Sequence, residues 1–167
     1  TGLRLRENSS LYAKQFTDVK IKRKYNKRIS YAVGYRYINR WGINLNISNH
    51  NRFFADFNYK NKLSKRFSYS VRNRWQTQGN VFGYKMILRQ KFALDYNIRK
   101  TKLAPSIATE YFFSLEDGIN KFRSSVALGY PFAKKLDFEL VYRIQNEFYV
   151  NNPETLFIFE GKLVYDL

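Results

Sequence analysis

The chain has 167 residues, the size of one domain, with 30 Lys and Arg against 13 Asp and Glu for a formal net charge of +17. The absence of Cys excludes disulfides and thiolate metal centres, and 15 Phe with 14 Tyr spread along the chain exclude a disordered basic tail. No stretch approaches the ~18 consecutive apolar residues that a membrane helix requires.

Taken in chain order, the elements share a period of two, which makes them strands. Leu3–Asn8 and Phe16–Tyr25 open the series. Ile29, Tyr31, Val33, Tyr35 and Tyr37 then alternate with Ser30, Ala32, Gly34 and Arg36. Phe53, Ala55, Phe57 and Tyr59 alternate with Arg52, Asp56, Asn58 and Lys60, and Phe67, Tyr69, Val71 and Trp75 with Ser68, Ser70, Arg72 and Arg74. The clearest stretch is Tyr84–Ile98, where Tyr84, Met86, Leu88, Phe92 and Leu94 oppose Lys85, Arg89, Lys91 and Asp95. Leu103–Phe113, Phe122–Tyr130 and Leu136–Gln145 repeat the pattern, and the last strand runs from Phe157 to Leu167. Asn73 and Gln90 fall on the apolar side, and Phe54 and Val141 on the polar side.

The predicted connectors alternate in character. Asn26-Lys27, Lys62–Lys65, Arg99–Thr101 and Ala133–Lys135 are tight and basic, whereas Ser9–Gln15, Asn39–His50, Gln78–Gly83, Leu115–Asn120 and Asn151–Thr155 are longer or richer in Gly, Asn and acid. Short turns at one end and longer loops at the other mark outer-membrane barrels. The apolar side is uniformly large, with aromatics near strand ends, as a lipid-facing band with interfacial girdles demands. A soluble barrel would instead need small and large residues interleaved inside. The expectation is an all-β fold: a closed antiparallel up-and-down transmembrane β-barrel of about ten strands (10–12), one domain over residues 1–167, with both termini periplasmic in a Gram-negative outer membrane.

Several stretches carry a resemblance in their order and spacing: Arg72-Asn73-Arg74-Trp75-Gln76, Leu88-Arg89-Gln90-Lys91, Ala104–Glu110, Phe122-Arg123 with Leu128-Gly129-Tyr130, and Tyr142-Arg143-Ile144-Gln145. Together they resemble an uncharacterised outer-membrane barrel family common in Bacteroidetes, known as a domain of unknown function. The resemblance is good over residues 65–167 and loose before them. It implies a barrel and a cleaved export signal, with a further segment upstream in most members, and it implies no activity. Residue 1 is Thr and no signal segment precedes it, so the chain reads as processed or trimmed. Phe159, Gly161, Leu163, Tyr165 and Leu167 form an alternating C-terminal set similar to the signal read by the barrel-assembly machinery, although most such signals end in Phe or Trp.

The main candidate site is a lumenal charge network of Arg36, Asp56, Arg72, Arg74, Arg89, Asp95, Glu110, Arg123, Glu139, Arg143 and Glu147. Buried charges must pair, so these residues are expected to fill a small bore, which points to a structural or accessory subunit. The alternative is a narrow anion-preferring channel, since Arg and Lys rings select anions. His50, with Ser48 nearby, is the one candidate base for a lipid-modifying enzyme, but no nucleophile motif accompanies it and the expectation is no enzyme. No metal or cofactor is expected, Glu116-Asp117-Gly118 reading as a turn. Expected partners are outer-membrane lipid and lipopolysaccharide, with Lys14, Arg40 and Arg52 placed for its phosphates, the assembly machinery during biogenesis, and a larger outer-membrane complex. A soluble nucleic-acid-binding barrel is disfavoured, because basic and aromatic residues interleave on every strand and form no single patch.

Overall fold

The computed structural model describes residues 2–6, 11–42, 46–116, 118–133 and 136–165, with side chains from residue 15 onward except 162, 164 and 165. Among these residues ten strands form one sheet in sequence order. They are β1 (Gly2–Arg6), β2 (Leu11–Lys24), β3 (Ile29–Trp41), β4 (Ile47–Lys62), β5 (Phe67–Asn80), β6 (Gly83–Tyr96), β7 (Ala104–Ser114), β8 (Gly118–Ala133), β9 (Leu136–Glu147) and β10 (Thr155–Tyr165). Every pairing is antiparallel and joins sequence neighbours, the up-and-down arrangement that short connectors favour. Among the described residues no pairing joins β1 to β10.

The register keeps the two residue sets apart. Ala32, Asp56, Arg74 and Arg89 lie opposite one another across β3 to β6, as do Tyr31, Phe57, Asn73 and Gln90 on the other face. A slip of one residue would mix these sets. Shifts occur at Arg4/Leu5, Phe112/Phe113 and Pro131/Ala133, all near strand ends. The second is a bulge at Asn120, which is buried and whose carbonyl accepts from the Phe148 amide at 3.0 Å.

One face is buried although no second layer covers it. Asp56 is 3% exposed, Arg74 8%, Arg89 8% and Glu110 4%, while Val33 on the other face is 59% exposed and Trp75 56%. Cover must therefore come from the sheet's own curvature. Side chains also bridge strands two apart, from Arg72 on β5 to Glu110 on β7 and from Lys60 on β4 to Asp95 on β6. The sheet is thus a trough, concave on its charged face and convex on its apolar face. Small residues let the concave face fill: a Cβ on Gly34 would stand 2.3 Å from the Phe54 ring.

The connectors differ from expectation in length and agree with it in chemistry. β5 and β6 turn through Val81-Phe82 alone, because Gly79 lets the two strands close up, a Cβ there meeting the Gly83 carbonyl oxygen at 1.9 Å. The segment expected as the loop Asn39–His50 shrinks to residues 42–46, and His50 lies inside β4. Conversely the basic connector between β6 and β7 spans residues 97–103. What separates the two ends is charge: the turns after β2, β4 and β6 carry Lys27, Arg28, Lys65, Arg66, Arg99, Lys100 and Lys102 with no acid among them. Tyr165, the last residue of β10, lies at this basic end opposite Leu136, whereas Gly2 pairs with Phe16 part-way along β2.

Candidate functional site: a charged concave face

All the charged residues expected to line the interior share the concave face by register. They do not form a single network. The centre is Glu110 on β7, which accepts from Arg72 at 2.6 Å, Arg89 at 2.8 Å and Arg123 at 3.3 Å. Arg89 donates also to Gln76 at 3.1 Å, and Arg123 to Gln145 at 2.5 Å. The Phe112 ring lies beneath two of these guanidiniums, 4.5 Å from Arg89 and 4.9 Å from Arg123. Beside this cluster Arg74 grips Asp56 through two bonds of 2.6 and 2.8 Å and stacks on Phe54 at 4.0 Å. Lys20 completes the Asp56 site at 3.4 Å.

The remaining expected residues pair outside this centre. Arg36 binds Asp18 and stacks on Phe16 at 4.1 Å. Asp95 takes Lys60 at 2.7 Å and Ser68 at 3.3 Å near the basic end, and Glu147 takes Lys121 at 2.5 Å near the other. Arg143 pairs with Glu160 of β10, while Glu139 stands opposite Gly129 and Lys162. Asp18, Glu160, Lys20, Lys60, Lys121 and the three glutamines Gln76, Gln78 and Gln145 were absent from the expected set. Their signal was available in strand parity, since each falls on the same alternating positions as the charges it meets. The aromatic partners Phe54 and Phe112 had only the weaker signal of an apolar residue on the polar side.

Some placements overturn expectations. Arg40 and Arg52 face the trough, Arg52 binding Gln78. Lys14's side chain lies outside the described residues. His50 is half-buried on the concave face of β4, opposite Ile38, instead of sitting in an exposed loop. Among the C-terminal set, Phe159 and Leu163 are exposed on the convex face with Gly161 between them, while Leu167 and the Tyr165 side chain lie outside the described residues. Among the described residues no three His, Asp or Glu gather as a metal centre.

From β3 to β6 the concave face carries Arg36, Arg40, Arg52, Lys60, Lys62, Arg72, Arg74, Lys85, Arg89 and Lys91 against Asp56 and Asp95. The trough is therefore positive as well as internally paired. A family model described as a protein of unknown function, DUF2490, matches residues 1–155. The chain belongs to the DUF2490 family. No curated protein matches it in sequence. Two solved structures share the fold of this DUF2490 chain. A bacterial polysaccharide outer membrane secretin aligns with a TM-score of 0.63 at 9% identity, over 92% of this chain and 57% of that one. The NanC porin aligns with a TM-score of 0.55 at 12% identity, over 92% of this chain and 79% of its own length. The chain thus spans little more than half of the first.

Proposed function

We propose that this DUF2490 protein is an outer-membrane β-barrel of structural or accessory type. In this reading the trough closes into a barrel whose interior is held by its own ion pairs, and the short basic turns and both termini face the periplasm. The observation that carries it is inversion. Charged side chains are the buried ones, and the large apolar side chains Val33, Phe53, Phe57, Trp75, Ile107 and Val126 are the exposed ones. Water on the convex face would leave that contiguous apolar wall hydrated, which soluble monomers rarely tolerate, whereas lipid covers it favourably. The ring pair Phe67 with Tyr96 at 4.7 Å, at the start of β5 and the end of β6, suits a membrane interface. The two outer-membrane proteins that share the fold support the same location.

The accessory role rests on the state of the interior. Glu110 and Asp56 are each surrounded by cations, and the guanidiniums are stacked on Phe54 and Phe112, which leaves the middle of the trough packed instead of open. Such a barrel serves as an anchor or scaffold for a larger outer-membrane complex, with lipopolysaccharide around it and the assembly machinery inserting it. A second reading, a narrow anion-preferring path, is favoured by the surplus of Arg and Lys between β3 and β6. Planar bilayers separate the two. The accessory reading expects an electrically silent protein. Steady single-channel steps with anion selectivity would replace it with the channel.

A further inference from the structure

Outside the trough, the turns after β4 and β6 form a second concavity. It encloses ≈ 450 Å³ and is lined by Lys65, Arg66, Asn97, Ile98, Arg99, Lys100 and Thr101. Four of these seven side chains are cationic and none is acidic. Asp95, the nearest carboxylate in sequence, is engaged on the concave face by Lys60 and Ser68. The Asn97 amide ties the two turns together by donating to the Arg66 carbonyl at 2.9 Å, and the second turn is closed on itself by the Thr101 amide donating to the Ile98 carbonyl at 3.4 Å. Lys100 is held at a φ of 61°, a left-handed conformation that glycine or asparagine would adopt at less cost. Cations gathered in a fixed cup repel one another unless an anion sits among them. Directly beside the cup, Phe67 and Tyr96 begin the apolar wall.

We infer that this cup binds a phosphate group. Two turns offer it guanidinium and ammonium donors together, the donor set that phosphate oxygens take with short charge-assisted bonds. The adjoining aromatics would place a lipid headgroup phosphate at the level of the cup, and a free phosphate has the same chemistry. The headgroup source rests on the outer-membrane reading, whereas binding of free phosphate does not.

The test compares Arg99→Gln/Lys100→Gln with Lys27→Gln/Arg28→Gln, which removes equal charge from the neighbouring turn outside the cup. Refolded full-length protein is titrated in detergent with phosphatidylglycerol in a phosphatidylcholine background, and separately with inorganic phosphate. Adducts are counted by native mass spectrometry. A mobility shift on boiling in SDS verifies that each variant is folded, so failure of the membrane reading is seen separately from failure of the cup. The cup variant should lose roughly tenfold in affinity for whichever probe binds, as removal of charge-assisted contacts to phosphate predicts, and the control should keep it. Loss confined to phosphatidylglycerol identifies the headgroup, and loss confined to inorganic phosphate identifies a soluble ligand. Equal losses in both variants, or binding of neither probe by the wild-type protein, would overturn the site.

Discussion

The middle of the trough and its rim use the same residue types and differ in what surrounds them. At the middle, Glu110 is 4% exposed and meets three guanidiniums from β5, β6 and β8. At the rim, the side chains of Lys60 and Asp95 pair at 2.7 Å while 60% and 33% exposed. The Coulomb attraction of a buried pair is large, but so is the desolvation cost of each ion, and only complete coordination balances the two. An exposed pair pays little desolvation and gains little, because water and salt screen it. The comparison teaches that the central charges are a structural commitment, costly to break from one side, whereas the rim charges are largely solubility and surface potential.

The largest effect should follow Glu110→Ala. Three guanidiniums would then share a buried site with no carboxylate, and breaking a buried pair from one side costs about 3–5 kcal/mol. Urea unfolding in lipid vesicles measures it as a lowered midpoint at unchanged slope. Glu110→Gln, which keeps the shape and one acceptor, should lose less. A smaller change should follow Phe112→Leu, which removes the ring under Arg89 and Arg123 and leaves both ion pairs in place. Cation–π contacts of this burial contribute roughly 1–2 kcal/mol, so the midpoint should move by less than half as much. The smallest effect should come from Lys60→Met, within about 1 kcal/mol and vanishing in high salt. If Lys60→Met matched Glu110→Ala, burial would not be what separates the two regions.

Much of the face assignment was legible before the structure, and for one reason. A strand's period of two is rigid, so parity alone sends Arg72, Arg74, Arg89, Glu110 and Arg123 to one side and Tyr111, Trp75 and Leu88 to the other. Partners were not legible, because they depend on register between strands. Nothing local to Glu160 says that it stands beside Arg143, or that Asp18 stands opposite Arg36. Strand ends were also obscured. Ser48, Asn49, His50 and Asn51 show no hydrophobic alternation, yet the backbone continues β4 through them, which moved His50 from a loop to a strand. The bulge at Phe112/Phe113 likewise has no sequence marker, and with it went the placement of Asn120.

The proposed function requires lipid against the convex face and a closed sheet around the buried charges. Detergent-refolded protein run on an SDS gel with and without boiling tests this most directly, because closed membrane barrels keep their fold in SDS until heated. The account predicts faster migration of the unboiled sample and a shift on boiling. Identical mobility in both lanes, from protein that stays monomeric in detergent-free buffer, would contradict it.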